Sequence, residues 1–192
     1  TPSQSSAASD VYKRQKLPPL NAGVTPALIS HVCSKLLNVY PVIVPLGIEV
    51  KPHFNHLIVE DRDLGPSNCL TTGKSMPRDR VVNLYKRGLE IGKSSKQPIL
   101  ISESVPGGTT TAQAVMEAFG LRVSNLVGSS LFKAPRDLRR KVVQKGLISA
   151  NLKADFDSFD VVAAVGDPFQ AFSMGLLTVS YTHLRAHETL LD

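Results

Sequence analysis

Tryptophan is absent from the 192 residues, and cysteine occurs only twice, at Cys33 and Cys69. Two cysteines without a CxxC spacing make no disulfide framework, which fits a reducing cytosol. No apolar run reaches about 18 residues, so no membrane-spanning helix is expected. No secretory signal is visible at the start. There is no GxxxxGK followed by Ser or Thr, and no GxGxxG, so Walker-type ATP hydrolysis and hydride transfer lose ground. Ser104 sits in no GxSxG elbow. Aromatics are only 6% and the basic residues are scattered. A stacking platform for nucleic acid is therefore missing.

What is present suits one well-buried domain: 42% hydrophobic and 20% charged residues, with a mean hydropathy of zero. The length is too small for two large domains. A net charge of +6 makes a phosphate-bearing partner plausible without implying nucleic acid.

Both ends stand apart. Residues 5–15 (SSAASDVYKRQ) and 179–189 (VSYTHLRAHET) read as translations of sequencing-library adapters. The expected organisation is thus an adapter-derived, poorly packed tail over 1–15, a domain fragment over 16–178, and a second such tail over 179–192. His183 and His187, four apart, have zinc-like helical spacing, but the adapter reading makes that an accident, and no metal is expected.

Along the genuine segment, Thr25-Pro26 is an N-cap and N1 pair. The helix it opens should run to about Leu37 with Leu28, Ile29, Val32 and Leu36 buried and His31 partly so. Residues 39–46 (VYPVIVPL) read as an edge or short strand broken by Pro41 and Pro45. Residues 65–77 read as a surface loop. A helix is expected over 79–91, a short buried strand over 98–101 and a helix from about Thr109 to Phe119. A strand follows over 122–127, then a basic helix over 135–147, a strand over 161–165 and a last helix from Asp167-Pro168 into Leu177. Strands alternating with helices predict an α/β fold: three layers, a mostly parallel sheet with helices on both faces, Rossmann-like and incomplete. His53 and His56 lack any ligand pattern around them.

Residues 99–115 (ILISESVPGGTTTAQAV) carry the chemistry. Gly107 and Gly108 let the backbone approach an oxyanion. The first amides of the following helix are unpaired and lie at its positive end, and Thr109, Thr110 and Thr111 add hydroxyls. That makes a phosphate cradle; an ordinary strand-to-helix turn with a Thr cap is the other reading. Glu103, just before it, either handles a proton or is a solvated loop residue. Arg139, Arg140 and Lys141 are either the wet face of their helix or the source of one phosphate contact. In AVGDPFQ, Asp167 is a good N-cap with Pro168 at N1, and Gly166 leaves room for a substrate.

SESVPGGTTTAQAV (102–115) resembles the motif of nicotinate-nucleotide–dimethylbenzimidazole phosphoribosyltransferases of the archaeal and cyanobacterial branch. TPALI (25–29), LRRKVV (138–143) and AAVGDP (163–168) resemble further stretches of that family in the same order, so the resemblance covers residues 17–178. It implies transfer of phosphoribose from nicotinate mononucleotide to dimethylbenzimidazole, adenine or another azole, giving an α-ribotide for a cobamide. It assigns the phosphate to Gly107, Gly108, Thr109, Thr110 and Arg139, where the family carries a lysine, and Glu103 to the incoming base as the catalytic residue. Ser104, Gly166 and Asp167 would line the substrate pocket. It further implies a cytoplasmic homodimer needing no cofactor, with no nucleic-acid or membrane partner. The family's principal general base lies beyond residue 192, so the fragment is expected to be inactive alone. A non-catalytic mononucleotide-binding or regulatory module is the alternative.

Overall fold

The computed structural model describes residues 26–39, 41–50, 52–96, 98–128 and 135–188, with the side chains of 26–28, 62 and 180–188 outside that description. The chain divides into two units, 1–43 and 44–192. In the first, helix α1 spans Pro26–Leu36, as the sequence predicts. Its expected buried face is open instead: Ile29, Val32, Leu36 and His31 are all exposed. Leu28 and Thr25 lie outside the described side chains.

The second unit is built from α2 (Arg78–Ser94), α3 (Gly108–Ala118), α4 (Arg136–Ala150), α5 (Ser158–Val165) and α6 (Pro168–Glu188), with 3-10 turns at Arg62–Leu64 and Leu70–Thr72. Apart from α5, the helices are where the periodicity put them, although α6 runs on to Glu188 and buries Val179 on the way. The expected tail over 1–15 lies outside the described residues.

The expected three-layer parallel sheet is overturned: the described residues hold no strand, and the architecture is helical. Each expected strand fails for its own reason. Residues 161–165 are apolar and β-branched, but they follow a capping box in which Asp157 accepts from the Asp160 amide and Asp160 accepts from the Asp157 amide. That box starts a helix, and because residues 161–165 are all buried their sequence shows no helical alternation to read. Residues 39–46 lose two amide donors to proline, and those of them that are described form no ladder. Residues 98–101 form no strand: Leu100 is 96% exposed, and no strand among the described residues pairs with them. Residues 122–127 curl into a turn in which the Leu126 and Val127 amides both donate to the Val123 carbonyl.

Two cores flank α5. Its Val162 and Ala163 join Val59, Met76, Val81, Leu84, Phe172 and Leu176. Its Val161, Ala164 and Val165 join Leu70, Ala114 and Val143. Between α2 and α6 the backbones touch at glycine. A Cβ on Gly88 would stand 2.1 Å from the Phe172 carbonyl oxygen, and one on Gly175 1.9 Å from that of Tyr85. Ser75 and Met76 cap α5 from outside, their amides donating to the Ala164 and Ala163 carbonyls at 3.1 and 2.9 Å. The incoming segment is tied to α2 by a buried ion pair. Arg80 Nε and Nη2 donate to Glu60 Oε2 and Oε1, both at 2.8 Å, and Nη2 also donates to the Gly65 carbonyl.

Candidate functional site

The turn before α3 forms as its composition dictates. Gly107 adopts φ +75°, left-handed backbone that glycine tolerates, and serves as N-cap to a helix whose first residue is Gly108. The Gly108 amide donates to the Val105 carbonyl at 2.9 Å, and the Thr110 amide to that of Gly107 at 2.7 Å. Neither the Gly107 nor the Thr109 amide has a partner among the described residues. Nothing lies within 4 Å of where a Gly107 Cβ would be, so this amide end of α3 opens to solvent. The Thr109 and Thr110 hydroxyls carry no hydrogen bond there either.

Glu103 lies over this turn. Its Oε2 accepts the Val105 amide at 2.7 Å. Both carboxylate oxygens lie 3.4 Å from the place a Gly108 Cβ would take, with Val105 Cβ at 3.1 Å. A side chain at 108 would therefore press on the turn and on Glu103 together. Oε1 of Glu103 has no partner among the described residues.

The structure brings a second sequence motif to the same place. Asp167 is buried at 3% exposure. Its Oδ1 accepts the Gln170 amide, and its own amide donates to Gln170 Oε1, both at 3.0 Å, forming a reciprocal cap on α6. Its Oδ2 accepts the Thr111 hydroxyl at 2.5 Å. Both oxygens are thus engaged. Gly166 is walled in, since a Cβ there would meet the Val162 carbonyl oxygen at 2.7 Å and Gln170 Oε1 at 2.9 Å. Its glycine serves the tight corner between α5 and α6, not the approach of a substrate. Ser104 is exposed beside Glu103.

Arg139 stands differently from either sequence reading. It is 4% exposed, so it is no part of a wet helix face. Its Nη1 and Nη2 donate to the Val127 and Gly128 carbonyls at 3.0 and 2.9 Å. The guanidinium fork pins the loop before α4, and no hydrogen bond links it to the turn at Gly107. Arg140 pairs with Asp137 on its own helix.

Sequence reasoning counted the Thr111 hydroxyl with the cradle, whereas it faces Asp167, and nothing local reveals a partner 56 positions away. It did not single out Gln113 of α3. Gln113 is buried at 1% exposure. Its Nε2 donates to Glu117 Oε1 at 2.8 Å, and its Oε1 has no partner among the described residues.

Elsewhere in this unit a cleft of about 720 Å³ opens beside Lys74, Met76, Arg78, Lys153 and Phe156. None of the residues expected at the phosphate site lines it. Cys69 is exposed, and the Thr71 hydroxyl 3.1 Å from its Sγ holds the thiol below its ordinary pKa, with the Lys145 charge adding to the effect. No group of three or more His, Cys, Asp and Glu side chains suited to a metal occurs among the described residues. The side chains of His183 and His187 lie outside them. No described helix is long and apolar enough to cross a membrane.

No family model matches the chain. A UPF0284 protein of Prochlorococcus marinus (strain MIT 9312) is 88% identical over 164 residues, 85% of this chain and 43% of its own length. One from Parasynechococcus marenigrum is 46% identical over 165 residues, 86% of this chain and 42% of its own length. One from Gloeothece citriformis is 35% identical over 165 residues, 83% of this chain and 44% of its own length. This chain is therefore similar to UPF0284 proteins of three genera and spans less than half the length of each.

Proposed function

We propose that this chain is a segment of a nicotinate-nucleotide–dimethylbenzimidazole phosphoribosyltransferase-like protein, and that its turn at Gly107 anchors the phosphate of nicotinate mononucleotide. The observation that carries this reading is the open N-terminus of α3. Two amides, from Gly107 and Thr109, stand beside two hydroxyls, from Thr109 and Thr110, all four without a partner among the described residues. A phosphate monoester suits such a set, because the amides donate toward it and the helix end favours negative charge. The resemblance of SESVPGGTTTAQAV to the family motif supplies the substrate.

Anchoring the phosphate holds the anomeric carbon of the ribose still while a ring nitrogen of the base attacks it and nicotinate leaves. In this scheme Glu103 has one carboxylate oxygen tied to the Val105 amide and one without a partner among the described residues. The second accepts an N–H of the azole or purine base, or balances positive charge in the transition state. Cytoplasmic residence rests on the two free thiols, and a homodimer on the family resemblance alone.

The full-length protein carrying this segment is tested with nicotinate mononucleotide and dimethylbenzimidazole, following nicotinate and α-ribotide by chromatography. Both products are expected, and Gly108→Leu should weaken nucleotide affinity by about tenfold or more, since its side chain crowds the turn. Nucleotide binding without release of nicotinate would favour the non-catalytic module. Undiminished affinity in Gly108→Leu would remove the cradle.

A further inference from the structure

Among the described residues, one side-chain hydrogen bond joins the first turn of α3 to the start of α6: that from Thr111 Oγ to Asp167 Oδ2, at 2.5 Å. Its length lies in the range of charge-assisted O–H···O⁻ bonds. The Gly108 carbonyl also lies 3.0 Å from the same hydroxyl, but the hydroxyl has one proton, and the charged acceptor is nearer.

The surroundings show what this bond holds. The bonds that shape the turn itself, from the Gly108 and Thr110 amides, are local. The chain leading into it, from residue 98 to 104, forms neither helix nor strand and is largely exposed. Asp167, by contrast, is a fixed post. It is buried, doubly capped with Gln170, and backed by the crowded corner at Gly166. A turn otherwise shaped by local bonds is thus tethered to a buried one through a single side-chain hydrogen bond among the described residues.

We propose that Thr111 is a positioning residue for anion binding at α3. Held by Asp167, it sets the direction in which the Gly107 and Thr109 amides and the Thr109 and Thr110 hydroxyls face their ligand. Its own hydroxyl faces Asp167 and does not touch the ligand. The identity of that ligand rests on the reading given above, whereas the latch itself does not.

Thr111→Val keeps the side chain's shape and removes the hydroxyl, while Thr111→Ser keeps the hydroxyl. In the full-length protein, Thr111→Val should raise the Kd for nicotinate mononucleotide about tenfold, the loss expected for one charge-assisted hydrogen bond. Thr111→Ser should restore it to within about twofold of the parent. Amide exchange at Gly107 and Thr109 should quicken in Thr111→Val and recover in Thr111→Ser. Unchanged affinity in Thr111→Val, or failure of Thr111→Ser to rescue it, would overturn the inference. A fall in melting temperature with affinity intact would also overturn it, by showing a structural role alone. If Thr111→Val does not fold, Thr111→Ala takes its place, because it removes the same hydroxyl and leaves the cap between Asp167 and Gln170 intact. If the parent protein fails to bind nicotinate mononucleotide, the functional reading falls, and the exchange rates alone decide the latch: quickened exchange supports it and unchanged exchange refutes it.

Discussion

Glu103 and Asp167 are both carboxylates beside the start of a helix, and their surroundings separate their roles. Asp167 is buried, with one oxygen on the Gln170 amide and the other on the Thr111 hydroxyl. Both of its oxygens are thus already engaged. Glu103 is exposed, with one oxygen on the Val105 amide and the other without a partner among the described residues. If Glu103 accepts the N–H of the incoming base, Glu103→Gln should lower kcat by about tenfold or more, with a smaller effect on KM. Steady-state rates against nicotinate mononucleotide check this, and an unchanged kcat would remove Glu103 from the chemistry. The Asp167 cap was legible because Asp-Pro is a local signal for a helix start. The burial of Arg139 was not, because its acceptors are carbonyls of a preceding loop.

At the scale of elements, α2 and α6 depend on glycine for their closeness. The clash at Gly88 is with backbone, the Phe172 carbonyl oxygen at 2.1 Å, so no rotamer change relieves it. Gly88→Val should cost about 1–3 kcal/mol or more, because the helices must part and the core around Leu84 and Phe172 must loosen. The midpoint of urea unfolding measures this, and parental stability would show that the helix pair yields easily. The sequence marks Gly88 only as a weak spot in a helix. That it lies against another backbone is a property of the pair. In α5 the capping box was present in the sequence, at Asp157 and Asp160, while the apolar run after it read as a strand. The local cap, reinforced by the burial of residues 161–165, decides for the helix.

At the scale of the whole molecule, α2 is joined to α5 by Arg78. Its Nε donates to Asp160 Oδ1 at 2.7 Å, its Nη2 pairs with Asp157, and its guanidinium lies 5.6 Å from the centre of the Phe159 ring. The Asp157 amide, followed by the Arg78 guanidinium, holds the Asp160 carboxyl below its ordinary pKa. A depressed folded-state pKa contributes stability above the unfolded pKa, about 3.9 for Asp, and that contribution is lost as pH falls through the folded value. Asp160→Asn should therefore be less stable than the parent at neutral pH. The gap should close as the solution is acidified below the ordinary carboxylate range. Urea unfolding of both proteins across that range tests it, and a gap independent of pH would place the effect elsewhere. This chain covers 43% of the length of its 88%-identical relative, so the comparison belongs in the full-length protein too.

What the sequence by itself determined is local: the proline and aspartate starts of α6, the left-handed glycine turn before α3, and the amphipathic α2. Each of these signals acts between residues a few positions apart, where backbone geometry and capping are strongest. Only the tertiary structure decided that residues 161–165 wind into a helix between two cores, that the fork of Arg139 grips a loop, and that Thr111 meets Asp167. Those outcomes depend on which surfaces come together in space. A chain read residue by residue carries no record of a partner 56 positions away.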